Sequence, residues 1–462
     1  MSKTKDMTTG TPYKLILAFA IPMIAGNLFQ QLYNMVDTVI VGKFVGVNAL
    51  AGVGSTGAIS FLVVGFALGV CTGFSIPVAQ EFGAGNYKKM RKYIANSIYL
   101  CIITTVLLTL ITVIGAKPIL RVMNTPEEIF NDAYNYIIVI FAGLGATIFY
   151  NMLSGILRAV GDSKSPLIFL IVSSFLNIAL DLLFIINFQM GVFGAGLATI
   201  ISQLVSAVLC LVYTIKNYDI LRFSKDELQP DKECISKLSS NGYPMALQFS
   251  ITAVGSIILQ SAVNTLGTQS VAAITAASKI QTVAIGPMES LGIAMATYCG
   301  QNKGAMQLER IKQGIRQSLV IQMIYCVTVC IAVSVLGGFI TTLFIDTKNT
   351  SAMEIAEITE LSAYYLRLNG IFYPLLGVLF ILRNSIQGMG YSMLPMLAGV
   401  GELIARALVA IGFVSTIGFT AASLSSPVAW IFADIILIVT YAAKLRQMKK
   451  TMIIARPLKA VS

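Results

Sequence analysis

The sequence contains no histidine, a single tryptophan and little charge: only 11% of its 462 residues are Asp, Glu, Lys or Arg. The missing histidine removes the commonest metal ligand and the side chain best suited to proton transfer near neutrality. A serine or cysteine nucleophile would have no imidazole to activate it, and no nucleotide-cradling glycine loop is present, so an enzyme is not expected. The cysteines at 71, 101, 210, 234, 299, 326 and 330 are odd in number and scattered. Cys326 and Cys330 sit one helical turn apart, but no second pair faces them. Buried thiols are expected, with no zinc or haem site and no cofactor.

The scarcity of charge is equally exclusive. A soluble chain needs about a quarter of its residues charged to cover its surface. Here 56% are hydrophobic and the mean hydropathy is +0.80. Apolar runs of roughly 20 residues recur throughout, the length that crosses a bilayer as helix. They lack the alternation of barrel strands and are too long for them. The expected spans are 14–40, 50–80, 93–115, 131–156, 165–187, 191–215, 241–266, 271–299, 316–345, 359–387, 393–416 and 424–445. The first is too long and too polar for a removable signal peptide and is read as a retained span.

The net charge of +11 raises nucleic acid as a partner, and its placement argues against it. Basic residues cluster at Lys88, Lys89, Arg91 and Lys92, at Lys303, Arg310, Lys312 and Arg316, and at Lys444, Arg446, Lys449 and Lys450. Lys43, Lys117, Arg121 and Lys348 fall on the other side, while Lys279, Arg367 and Arg406 lie within spans. This asymmetry is the positive-inside pattern, with both termini cytoplasmic. The lipid bilayer is thus the expected partner surface, in the cell membrane, a bacterial inner membrane by preference.

The chain also repeats itself. Gly161, Ser163 and Pro166 after span four recur at one common separation as Gly390, Ser392 and Pro395 after span ten. Gly85-Asn86 is matched by Gly304-Ala305, and Pro22 by Pro244. Two halves of six spans each insert with the same orientation, as parallel repeats do. The expected architecture is an all-α polytopic membrane protein. Its first lobe covers 1–215, a mixed-charge cytoplasmic linker covers 216–240, and its second lobe covers 241–462.

Ionisable groups inside the hydrocarbon layer cost about 2.5 kcal/mol or more each, so they point to function. Span one carries Asn27, Gln30, Asn34 and Asp37 on one helical face, span five Ser173, Ser174, Asn177 and Asp181, and span six Thr199, Ser202, Gln203 and Ser206. At about 1.5 Å per residue, Asp37 and Asp181 each lie roughly 9 Å below the outer end and Thr199 some 12 Å down. Two carboxylates, an amide and a hydroxyl at one level can form an oxygen-rich cage for H⁺ or Na⁺. With no histidine, carboxylates are the natural intramembrane proton carriers. Pro22 deprives the first helix of one backbone hydrogen bond and is a candidate hinge. Gln30, Asn34, Gln203, Gln248, Gln260, Asn264 and Glu289, the last with Thr275 and Thr282 on its face, are candidate substrate contacts. Glu402 and Arg406, one turn apart, are expected to neutralise each other.

The motifs IPMIAGNLFQQLYNMVDTVIVG in span one, GAGN before a basic run, LRAVGDSKSP after span four and GQNKGA after span eight resemble those of the multidrug and toxic compound extrusion (MATE) transporters. The resemblance runs over essentially the whole chain. It implies twelve spans in two lobes and cation-coupled antiport by alternating access, H⁺ or Na⁺ entering as a small organic, often cationic, compound leaves. By position, the family's first-lobe ion site matches Asp37 of VDT, Asn177 and Asp181 of N-x-x-x-D, and Thr199 of GLAT, and its bending proline matches Pro22. Some members carry acids on spans seven and ten, where this sequence has Thr252 and Leu376. A monomer is expected. The alternative is a lipid-linked oligosaccharide flippase, whose phosphate-bearing substrate would call for more inward arginines than Arg367 and Arg406.

Overall fold

A computed structural model describes the backbone of residues 4–344 and 351–459, and side chains through residue 450. Lys348 and the last residue of the run 316–345 lie outside the described residues. The first half contains helices α1 (Pro12–Phe44), α2 (Val47–Ser55), α3 (Gly57–Gly83), α4 (Tyr87–Val122), α5 (Glu127–Ala142), α6 (Leu144–Ala159), α7 (Lys164–Leu182) and α8 (Gly191–Asn217). The second contains α9 (Lys232–Asn264), α10 (Thr268–Gly304), α11 (Leu308–Thr341), α12 (Ala352–Ile371), α13 (Tyr373–Gly388), α14 (Met393–Gly412), α15 (Val414–Ile417) and α16 (Phe419–Lys459). No strand occurs among the described residues.

Among the described residues nine helices are each long and apolar enough to cross a membrane, and α5 with α6 and α12 with α13 do so as pairs bent by 47° and 52°. The 37-residue α10 completes twelve crossings, its hydropathy diluted by Thr, Ser, Gln, Lys279 and Glu289. The two bends have local causes. Gly143, between α5 and α6, leaves space filled by the side chain of Ile200. Pro374 stands at the start of α13, where its missing N–H costs nothing but α12 cannot continue through it. Apolar faces such as Ile103, Leu107, Leu110 and Ile114 of α4 and Val327, Ile331, Val335 and Phe339 of α11 are exposed, as lipid-facing surfaces must be.

The repeat is visible as turn chemistry. After α6, Gly161 is left-handed (φ 89°) and the Asp162 N–H donates to the Leu157 carbonyl. After α13, Gly390 is left-handed (φ 79°) and the Tyr391 N–H donates to the Ile386 carbonyl. This six-to-one closure satisfies carbonyls that the helix end would orphan. The turn after α3 corrects the matching of its counterpart. Gly85 (φ 71°) corresponds not to Gly304 but to Met306 (φ 59°), since Asn86 N–H to Glu81 and Gln307 N–H to Asn302 are equivalent closures.

By packing, the chain forms two compact units, Met1–Thr9 with Ala18–Ser250, and Gly10–Leu17 with Ile251–Ser462. The core of the first is built on Phe74, Met90, Leu157 and Leu238. The polar connection is irregular only to Asp231, helix α9 beginning at Lys232. Its acids meet the basic run opening α4. Glu227, itself buried, takes a bidentate pair of 2.7 Å bonds from Arg91, while Asp226 meets Lys88 at 3.0 Å and Glu233 meets Lys89 at 3.1 Å.

Candidate functional site

Within the first unit, α1 and α7 approach along a line that ends in two acids. Gly26 faces Leu167, a Cβ there falling 3.2 Å from its methyl, and Phe29 meets Phe175 with ring centroids 5.8 Å apart. Further along, the carboxyl groups of Asp37 and Asp181 come within hydrogen-bonding reach of each other. Asp181 is fully buried, and neither of its oxygens, nor Oδ1 of Asp37, has a donor. As carboxylates both groups only accept, so only an added proton or cation joins them. The phenols of Tyr33 and Tyr136 lie within electrostatic range of both acids.

The backbone changes character at this point. Immediately after Asp181, α7 passes into a π-helical turn, Leu183–Asn187, before Gly191 (φ 57°) opens α8. Such turns widen a helix locally and concentrate at functional positions. Asn177, one turn before Asp181, is buried with both amide atoms unpartnered. Thr199 is half-buried and donates its hydroxyl hydrogen 3.1 Å to the Ala195 carbonyl, keeping lone pairs for another donor or cation. Gln203 Oε1, Ser202 Oγ and Ser206 Oγ on the same face of α8 also lack donors. Pro22 is buried inside α1, which runs through it as one helix. Gln30 and Asn34 are exposed.

The second unit disposes its candidates differently. Gln260 and Asn264 are exposed and bond each other at 2.9 Å, and Asn264 lines a 680 Å³ cavity with Thr268, Thr275 and Lys279. Gln248, assigned by packing to the first unit, is buried. Thr252 is half-buried and Leu376 is buried. Glu402 does meet Arg406, at 3.0 Å, but it also takes a 2.7 Å bond from Arg383 of α13. Arg383 is missing from the sequence reading of intramembrane charges, although it falls inside span ten. Its only signal was one arginine in an apolar run. Tyr33 could have been found by its one-turn spacing from Asp37, whereas nothing in the sequence marks Tyr136.

The family model MatE matches residues 22–183 and 244–412. The probable multidrug resistance protein YoeA of Bacillus subtilis is 29% identical over 354 residues, 75% of this chain and 76% of that protein. The probable multidrug resistance protein NorM of Thermotoga maritima is 27% identical over 388 residues, 83% of this chain and 82% of that one. A crystal structure of MATE in the bent conformation matches with a TM-score of 0.88 over 97% of this chain and 100% of that chain, at 24% identity. That likeness shows the fold.

Proposed function

The chain belongs to the MatE family, and on that premise we propose that it is an antiporter exporting small organic, often cationic, compounds in exchange for H⁺ or Na⁺. It works by alternating access as a monomer in a bacterial inner membrane, both termini cytoplasmic. Asp37 and Asp181 hold the coupling ion, with Asn177 and Thr199 as neutral oxygen donors. The single observation that carries this reading is that half-buried Asp37 and buried Asp181 bring their carboxyl groups within hydrogen-bonding reach while Asp37 Oδ1 and both Asp181 oxygens have no donor.

Two unit charges about 4 Å apart at an effective dielectric near 20 repel by about 4 kcal/mol. An ion between them removes that repulsion, and its departure restores it. Because the acids sit on separate helices, the repulsion acts directly on the distance between α1 and α7. Pro22 supplies the weak point at which α1 yields. Ion occupancy and helix geometry are thereby one equilibrium.

The test is efflux of a cationic dye from proteoliposomes under a Na⁺ gradient and, separately, a pH gradient. Asp37→Asn and Asp181→Asn are each expected to lose gradient-driven efflux about tenfold or more, given the size of one charge at this range. Retention of full efflux by both variants removes the ion site. The flippase reading gains nothing from Arg383, since both buried arginines are committed to Glu402.

A further inference from the structure

The second unit contains a buried charge cluster in which one acid has no hydrogen-bond donor. Arg383 of α13 and Arg406 of α14 supply two positive charges, each residue less than a tenth exposed. Against them stand Glu402 of α14, Asp434 of α16 and Glu289 of α10. Glu402 is saturated, one oxygen on each arginine at 2.7 and 3.0 Å. Glycine at 255 makes room for this arrangement, since a Cβ there would lie 2.6 Å from Arg406 Nη1. Glu289 is half-buried and faces Arg383. Asp434 is 4% exposed, and neither of its oxygens has a hydrogen-bond donor.

Among the elements packed against α16, the charged groups facing Asp434 are Arg383 of α13 and Glu402 of α14. From α12, Tyr365 donates to Gln281 and Arg367 to the Ser334 carbonyl, and α15 carries no titratable side chain. The enclosed charges, Glu402 and Asp434 against two arginines, balance in number, but the hydrogen bonds do not: both arginines bond Glu402 and neither bonds Asp434. An ionised carboxyl with no donor on either oxygen is costly in this layer, and a buried group in that position takes up a proton.

We propose that Asp434 is a proton-binding site of the second unit, separate from the Asp37–Asp181 pair. The choice among the three acids follows from their partners. Glu402 uses both oxygens on guanidinium groups, and Glu289 retains some exposure. Only Asp434 is both enclosed and donorless. Loss of that proton sets Asp434 against Glu402 as rivals for Arg383, so proton occupancy biases the pairing of α13 with α14 or α16.

The test is infrared difference spectroscopy of the purified full-length protein at neutral pH, reading the carbonyl stretch of buried protonated carboxyl groups. The measurement is made in an Asp37→Asn/Asp181→Asn background, so the first-unit acids contribute nothing. The expected result is a protonated-carboxyl band in that background, lost on adding Asp434→Asn and displaced by Asp434→Glu. A band unchanged by Asp434→Asn, or no band in the background, overturns the proposal. Thermal melting gives a second reading: Asn stands in for the protonated acid, so Asp434→Asn keeps the wild-type melting temperature. A clear fall would instead mean that Asp434 is ionised and paired with Arg383, which equally overturns it.

Discussion

Replacing Glu227 by Gln removes the charge from a side chain only 1% exposed that receives two 2.7 Å bonds from Arg91. The glutamine carbonyl can still accept one of these bonds, so the loss is one charge-assisted bond and the attraction of the pair. Arg91 is 19% exposed and regains water, which keeps the cost below that of a fully buried ion, about 2 kcal/mol. Cys234 reports the consequence, because it is buried at the start of α9 with its N–H on Asp231 Oδ1. In a variant with Cys234 as its only cysteine, maleimide labelling reads local opening of the connection. About 2 kcal/mol corresponds to a rate increase of roughly thirtyfold. The hydrogen bond from Arg91 holds the Glu227 carboxyl below its ordinary value. Its stabilisation is therefore complete above the usual glutamate range and is lost as pH falls through the lower folded-state value. Acid should accelerate labelling of the parent protein and barely affect the Gln variant. An increase under about threefold at neutral pH, less than 1 kcal/mol, would refute the account.

Two further substitutions probe the interior. Glu402→Gln withdraws the shared anion from two buried guanidinium groups and should lower stability by about 3–5 kcal/mol, read as a large fall in melting temperature; a shift of a degree or so would show that the arginines find other partners. Gly69→Ala places a Cβ 2.5 Å from the Ala246 Cα where α3 crosses α9, a backbone contact that cannot yield cheaply. A loss of about 1–3 kcal/mol and a reduced monodisperse yield on size exclusion are expected, and a wild-type yield and melting curve would contradict the crossing.

Most of the fold was legible along the chain because the bilayer dictates length and polarity one segment at a time. A run of roughly 20 apolar residues is a crossing whatever it packs against. Asp37 and Asp181 were legible for a related reason: depth follows from counting residues, and two acids at one depth on polar faces are candidates to meet. Arg383 was not, because its role depends on Glu402 from another helix rather than on its neighbours in sequence. Likewise Gly304 was a reasonable match for Gly85 by letter, but the hydrogen bonds place the turn at Met306.

The sequence by itself determined a twelve-crossing helical membrane protein, its repeat and its candidate acids, since each follows from local hydrophobicity and helical period. Tertiary structure alone decided which charges are satisfied. Glu402 is held by two arginines and Asp434 by none, although both are single acids in apolar helices. Whether a buried charge is neutralised depends on atoms about 3 Å away across a helix interface, a distance that no spacing along one helix encodes.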